Sequence, residues 1–255
     1  MNARTAMWIF GVALAVSLCA CAATTAPYNP FKTPQAEIKN KVKVVALAPV
    51  SVGVDNPDPV KAKFEALVTA KLQEGGFTVV PSTEYGAIWK QMTETLGGFF
   101  DPMTGKRDDQ KFKTLRQHAM RELAAKTNAD GLMEIAIVPV KVSFNIDHAR
   151  WHGTDEYMRS GGAWAMFFGP QTSGTTTGLS LYVDLSDIND VDMYINFGGI
   201  QLLSKLSGNQ FYQISRQELF NDEERNHKAV DIALNPLIGK AIEPEKPKAS
   251  EEKSY

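Results

Sequence analysis

Val42-Lys43-Val44-Val45-Ala46-Leu47-Ala48-Pro49-Val50 is a nearly continuous apolar run. A half-exposed strand alternates apolar and polar side chains; this run does not, so it predicts a strand covered on both faces, at the centre of a sheet. Downstream the period changes. Pro59 sits near a helix start, and Val60, Phe64, Leu67, Val68 and Leu72 recur at three- and four-residue steps until Gly75-Gly76 ends the pattern. Phe77-Thr78-Val79-Val80 predicts a second strand, Pro81-Ser82-Thr83 a turn, and Tyr85, Ile88, Trp89 and Met92 a second helical stripe. Strand, helix, strand, helix is the order of an α/β layer.

A loop around Phe99 to Gly105 leads to a third helix, with Phe112, Leu115, Ala119 and Leu123 on one side and its end near Asn128. Ala129-Asp130-Gly131 turns the chain into a long strand from Leu132 to Phe144. From Asn145 to Thr177 the sequence is glycine-rich and lacks regular periodicity, and a connection of that length in a compact domain is functional or mobile. Leu179 to Leu185, a turn at Asn189-Asp190, and Met193 to Phe197 running into Ile200 to Leu203 predict an antiparallel hairpin. Gln210 to Ile214 adds a strand. Val230, Ala233, Leu234, Leu237 and Ile238 mark a last helix, which Pro236 should kink or interrupt. The predicted fold is one α/β sandwich, residues 42–241, with helices packed on a mixed sheet and a glycine-rich loop at 145–177. There is no internal repeat.

The chain begins with a single charge at Arg4 and an apolar run from Ala6 to Leu18, the length of a signal-peptide core and short of the roughly 20 apolar residues that span a bilayer. Leu18-Cys19-Ala20-Cys21 resembles the lipobox of bacterial lipoprotein precursors, with a small residue directly before the cysteine. That resemblance implies removal of residues 1–20 as a signal peptide and attachment of lipid, diacylglycerol with palmitate-type chains, to Cys21. Cys19 fits less well, since Leu18 would stand just before the cut. Two or three acyl chains hold firmly where one holds only marginally. Ala22 stands where Asp favours inner-membrane retention in enterobacterial lipoproteins, so the resemblance implies an outer-membrane anchor with the domain facing the periplasm.

Residues 21–41 read as a lipidated N-terminus and flexible tether, being rich in Ala, Thr, Pro and Lys without apolar periodicity, and 242–255 as a disordered tail of charge and proline. No cysteine follows Cys21, so no internal disulfide is available to the domain and its stability must come from core burial. With 27 Lys and Arg against 29 Asp and Glu the net charge is −2, which argues against a nucleic-acid or polybasic membrane partner.

The element order also resembles the fold group of the TolB N-terminal domain, the curli-secretion lipoprotein CsgG and the lipoprotein activators of penicillin-binding proteins. The likeness is carried by Val44 to Pro49, Gly76 to Pro81, Ala129 to Ile135 and Leu181 to Leu185, and by the junction Ala124-Ala125-Lys126-Thr127-Asn128-Ala129-Asp130-Gly131. Within that group the chain looks nearest to periplasmic lipoproteins without an assigned role, such as the neisserial ones of the same fold. The resemblance implies a membrane-anchored adaptor or regulator whose surface binds another envelope protein or a second copy of itself, with no catalytic residue to carry over. Its secretion-channel members insert amphipathic hairpins whose strands need about 9 to 11 residues. This chain offers only Ala163-Trp164-Ala165-Met166-Phe167-Phe168, so a self-assembling lipoprotein involved in secretion is the second reading.

Two loops are candidate sites. Trp164, Met166, Phe167 and Phe168 form an apolar knot between glycines, read either as a partner-binding loop or as side chains folded back over the sheet. His148 and His152, amid Asp147, Asp155 and Glu156, would share a face if that stretch were helical and could then hold zinc, which gives a metal-dependent envelope enzyme as a third reading. Against it, the middle Glu of H-E-x-x-H is absent, Gly153 weakens a helix, and loop histidines are usually only solvated. Asp184, Asp187, Asp190 and Asp192 lack the glycine and closing Glu of a calcium loop and read as a solvated hairpin and turn, and Asp101 to Gly105 as turn chemistry. There is no G-x-S-x-G elbow and no phosphate loop. The expectation is a protein that is not an enzyme and has no cofactor.

Overall fold

The computed structural model describes residues 28–53, 57–159, 173–207 and 210–240. In chain order its elements are α1 (Gln35–Lys41), β1 (Val44–Leu47), β2 (Ser51–Val52), α2 (Pro57–Glu74), β3 (Thr78–Val80), α3 (Ser82–Thr95), α4 (Asp109–Thr127), β4 (Gly131–Asn145), β5 (His148–Trp151), β6 (Thr154–Tyr157), β7 (Gly174–Asp187), β8 (Asp192–Leu202), β9 (Ser204–Ser207), β10 (Gln210–Gln213) and α5 (Glu223–Ile238).

The apolar run at Val44–Leu47 is indeed interior to a mixed sheet: β1 lies parallel to β3 on one side and to the start of β4 on the other. One edge of β4 is shared in succession by β1, β2 and β5, while the other pairs with β7 from Gly131 to Phe144. β8 pairs with β7 and follows it outward. Helices cover both faces. On one, Phe64, Val68 and Leu72 of α2 and Val230, Ala233, Leu234 and Leu237 of α5 pack on Leu47, Ile135, Leu181 and Val183. On the other, Ile88 of α3 and Ala119, Met120 and Leu123 of α4 pack on Ala46 and Leu132. Burying a Leu- or Phe-sized side chain is worth about 1.5–3 kcal/mol, so these two layers supply most of the driving force. Arg116 of α4 ties its layer to the sheet, donating to both carboxylate oxygens of Glu134 on β4 (2.7 and 3.1 Å) and to Asp190 in the β7–β8 turn.

Helix ends follow local chemistry. Asp108 accepts from the Lys111 amide at the start of α4, and Asp222 from the Arg225 amide at the start of α5. At the start of α3 the residue before the helix is Pro81, which has no capping side chain. Glu65 of α2 substitutes, accepting from the Ser82 amide at 3.1 Å and its hydroxyl at 2.8 Å.

Three expectations need correction. First, the stretch after Asn145 is not irregular: β5 and β6 form an antiparallel hairpin on the end of β4. Its two turns, Ile146-Asp147 and His152-Gly153, have positive φ at both central residues, as a type I′ turn requires. A β-branched residue at positive φ is an outlier, and the turn is held from outside by a buried ion pair, Arg159 Nε donating to Asp147 Oδ2 at 2.7 Å. Second, the flexible tether does not extend to Lys41. Ile38 is fully buried, Phe31 packs edge-on against Tyr194 with ring centroids 5.0 Å apart, and Tyr28–Thr33 runs antiparallel along β8. Third, Pro236 does not interrupt the last helix, because β8 supplies the missing bond, as described below.

Where β4 leaves the helical layers, its burial pattern changes from continuous to alternating. There the sheet curls. The β5–β6 hairpin comes round to meet β8, with the Gly199 amide donating to the His152 carbonyl (3.0 Å) and the Leu202 amide to Glu156 Oε2 (2.9 Å). Val142, Phe144, Trp151, Met158 and Leu202 fill the inside of the curl.

Candidate functional site

The outward edge of β8 has two covers and a gap between them. Backbone groups of an antiparallel strand point alternately to its partner and away from it. On β8 the outward residues are Met193, Ile195, Phe197 and Gly199. The N-terminal segment takes the first two: the Lys32 and Thr33 amides donate to the Met193 carbonyl, the Ile195 amide to the Pro30 carbonyl, and the Tyr28 hydroxyl to the Ile195 carbonyl at 2.7 Å. The hairpin takes Gly199, whose carbonyl also accepts from the Thr154 hydroxyl at 2.8 Å. Phe197 lies between, and no described residue is bonded to its outward N–H and C=O.

A cleft of about 570 Å³ opens at that gap. One wall is the N-terminal segment, Tyr28 to Phe31; the opposite wall is the hairpin turn His152-Gly153; the floor is Asn196 and Phe197, and Ile232 and Pro236 of α5 close the side. Among the described residues none lining it is Asp, Glu, Lys or Arg. His152 stacks on Phe197 with ring centroids 4.6 Å apart, and its Nδ1 is hydrogen-bonded to the Ser180 hydroxyl at 2.8 Å. Burial pushes the imidazole below its ordinary value.

The floor explains the intact helix. Proline at 236 has no N–H for the carbonyl of Ile232, four residues earlier. Asn196 Nδ2 donates to that carbonyl at 3.1 Å and to that of Ala233 at 3.0 Å, and the Tyr194 hydroxyl donates to Ala233 at 2.5 Å. Gly198 allows the approach: a Cβ there would overlap the carbonyl oxygen of Ala229.

Beside the cleft one face of β7 carries buried polar side chains, Ser180, Asp184 and Ser186. The Tyr182 hydroxyl donates to Asp184 Oδ2 at 2.7 Å, while Asp184 Oδ1 is buried with no hydrogen-bond partner among the described residues. Burial, then the nearby carboxylates Asp192 and Glu134, push the Asp184 carboxyl above its ordinary value despite the Tyr182 bond. Burial and then the charge of Asp184 raise the Tyr28 hydroxyl.

The structure does not bring the sequence candidates together. His148 is on β5, bonded to Asp155 Oδ1 at 3.0 Å, and His152 is in the turn against Phe197, so the two imidazoles engage different partners on a hairpin rather than one helical face. Among the described residues no three of His, Cys, Asp and Glu converge as metal ligands, and no helix is long and apolar enough to cross a membrane. Asp187 accepts from the Asn189 and Val191 amides and closes the β7–β8 turn, and Asp101 accepts from the Met103 and Thr104 amides, both as turn chemistry. Cys21, Trp164, Met166, Phe167 and Phe168 lie outside the described residues. Sequence reading missed the cleft, though two signals pointed to it: a proline inside a helical pattern leaves a carbonyl to be bonded, and Asn196 stands in an apolar strand where a buried amide needs partners.

No family model matches the sequence, and no curated protein does. Among solved structures the chain is similar to the PelC dodecamer from Paraburkholderia phytofirmans in two crystal forms, one of them of a leucine-to-methionine variant. Identities are 14% and 13%, coverage is 78% and 77% of this chain and 91% and 88% of those, and TM-scores are 0.36 and 0.34. It is also similar to lipoprotein GNA1162 from Neisseria meningitidis at 13% identity, covering 62% of this chain and 81% of that one, with a TM-score of 0.31. Overlaps of this quality establish neither a shared fold nor a shared role.

Proposed function

We propose that the chain is a bacterial envelope lipoprotein, anchored through lipid on Cys21 to the outer membrane with its domain in the periplasm, and working without catalysis as an adaptor or regulator of another envelope component. One observation carries the reading: an apolar cleft of the domain is walled by Tyr28 to Phe31, the segment that joins the domain to Cys21. A chain released at residue 20 and lipidated at residue 21 therefore presents its apolar site beside its anchor. The lining, with Phe31, Phe197, Ile232 and Pro236 and with no Asp, Glu, Lys or Arg among the described residues, supports binding of an apolar group.

The test is metabolic labelling of the full chain with an alkyne analogue of palmitate, beside Cys21→Ser. The anchor predicts that the label and membrane fractionation are both lost in the variant; label retained in Cys21→Ser overturns Cys21 as the acceptor. The native mass of the lipidated protein in mild detergent then separates the roles. A monomer or small oligomer supports the adaptor, and a large uniform ring replaces it with self-assembly for secretion.

A further inference from the structure

We propose that the cleft at the β8 edge holds a fatty-acyl chain, that of the lipid on Cys21 of the same molecule; the inference rests on the anchor proposed above. The cavity is within the range of about 300–1,000 Å³ that small-molecule sites occupy, with mostly apolar walls and few polar groups. A charged or sugar-like ligand would find no charged partner there among the described residues. An extended peptide adding to the sheet needs several consecutive open edge groups, and among the described residues only Phe197 is open between the two covers. An acyl chain needs apolar walls, which Phe31, Phe197, Ile232 and Pro236 supply, and its ester carbonyl is an acceptor for the Phe197 amide.

Chain length identifies which acyl chain. Cys21 precedes Tyr28 by seven residues, and seven residues of extended chain reach at most about 25 Å. Any lipid on Cys21 is thus confined near the mouth of the cleft, at an effective concentration on the order of millimolar. The intervening Ala22-Ala23-Thr24-Thr25-Ala26-Pro27 has no large apolar side chain to fill the space. A methylene gains about as much on leaving water for a protein interior as for a bilayer, so moving one chain from membrane to cleft is nearly balanced. The remaining chain or chains keep the protein on the membrane, more loosely than the full set.

The experiment uses the full chain in cells fed a palmitate analogue with a photoactivatable diazirine, irradiated in native membranes and mapped by mass spectrometry. The expected result is an adduct within one molecule between the lipid-bearing N-terminal peptide and peptides containing His152, Phe197 or Ile232. It should be lost in Ile232→Trp, which fills the cleft from α5, and in Asn29→Trp, which fills it from the exposed wall without touching the core. Label on Cys21 with no adduct in the cleft overturns the proposal. Phospholipid adducts in the cleft assign the site to bilayer lipid, and adducts between two molecules assign it to a neighbour's chain; either overturns the source proposed. Absence of label from Cys21 overturns the lipoprotein reading itself and this inference with it.

Discussion

β3 and β8 both pair with the sheet on one side only, and they are protected from the other side in opposite ways. β3 is three residues long, with Thr78 exposed, and a strand that short offers little to an incoming chain. β8 is eleven residues long and would be an aggregation hazard if bare. It is hidden by segments from elsewhere, the N-terminal stretch and the β5–β6 hairpin, which meet it from opposite ends and leave Phe197 between them. A short edge closes itself and has no room for a site. A long edge closed by two independent covers keeps a seam, and here the seam is apolar.

Experiments that bear on this difference run from severe to slight. Gly198→Ala drives a methyl group into the Ala229 carbonyl and should separate α5 from β8, with a loss of about 3 kcal/mol or more in urea-induced unfolding. Stability close to wild type would mean that the helix does not pack as closely on that strand. Asn196→Ala removes the donor for Ile232 and Ala233 and should cost about 1–3 kcal/mol. In a Pro236→Ala background the restored amide can serve Ile232, so the same substitution should cost about 1 kcal/mol less; strict additivity would show that Asn196 does not replace the proline's missing bond.

A pH effect follows from the polar face beside β8. The Asp184 carboxyl titrates higher in the folded chain than in the unfolded one, where it lies near its ordinary value of about 3.9, so the native state binds the proton more tightly. Its contribution is present below that unfolded value and is lost as pH rises through the folded value. Asp184→Asn keeps an acceptor for Tyr182 and cannot ionise. Thermal melts should show it gaining on the wild type between acid and neutral pH and converging with it at the acid end; a constant difference would remove Asp184 as the cause. At the other edge, Thr78→Lys should change stability by no more than about 0.5 kcal/mol and leave the oligomeric state unchanged by sedimentation. A large loss there would show that β3 is not an ordinary exposed edge.

Much of the body was legible because its signals are local. Val44 to Leu47 reads as a buried strand since no polar residue interrupts it, and α4 ends as predicted at Asn128, whose left-handed backbone suits that side chain. The long β4 and the β7–β8 hairpin follow from alternation and from Asp187, which makes its turn with its own neighbours. The hairpin after Asn145 was hidden because Ile146-Asp147 is the opposite of a turn signature, and Arg159, twelve residues on, stabilises it. The N-terminal segment read as tether because Phe31 and Ile38 are too widely spaced to make a periodic face. They are ordered by a strand and a helix more than 150 residues away in sequence.

The layers follow from neighbouring residues alone, because helix and strand periods are written in consecutive positions and each period fixes which side must be buried. The sequence also placed a lipobox-like cysteine shortly before the domain. Tertiary structure alone decided that the chain entering the domain covers half of β8, that Asn196 completes a helix broken in sequence by Pro236, and that His152 faces an aromatic ring instead of a second imidazole. Those outcomes depend on groups far apart in the chain meeting at one edge. A hydrogen bond or ring contact between such groups leaves no periodic trace, since only the folded distance makes it possible.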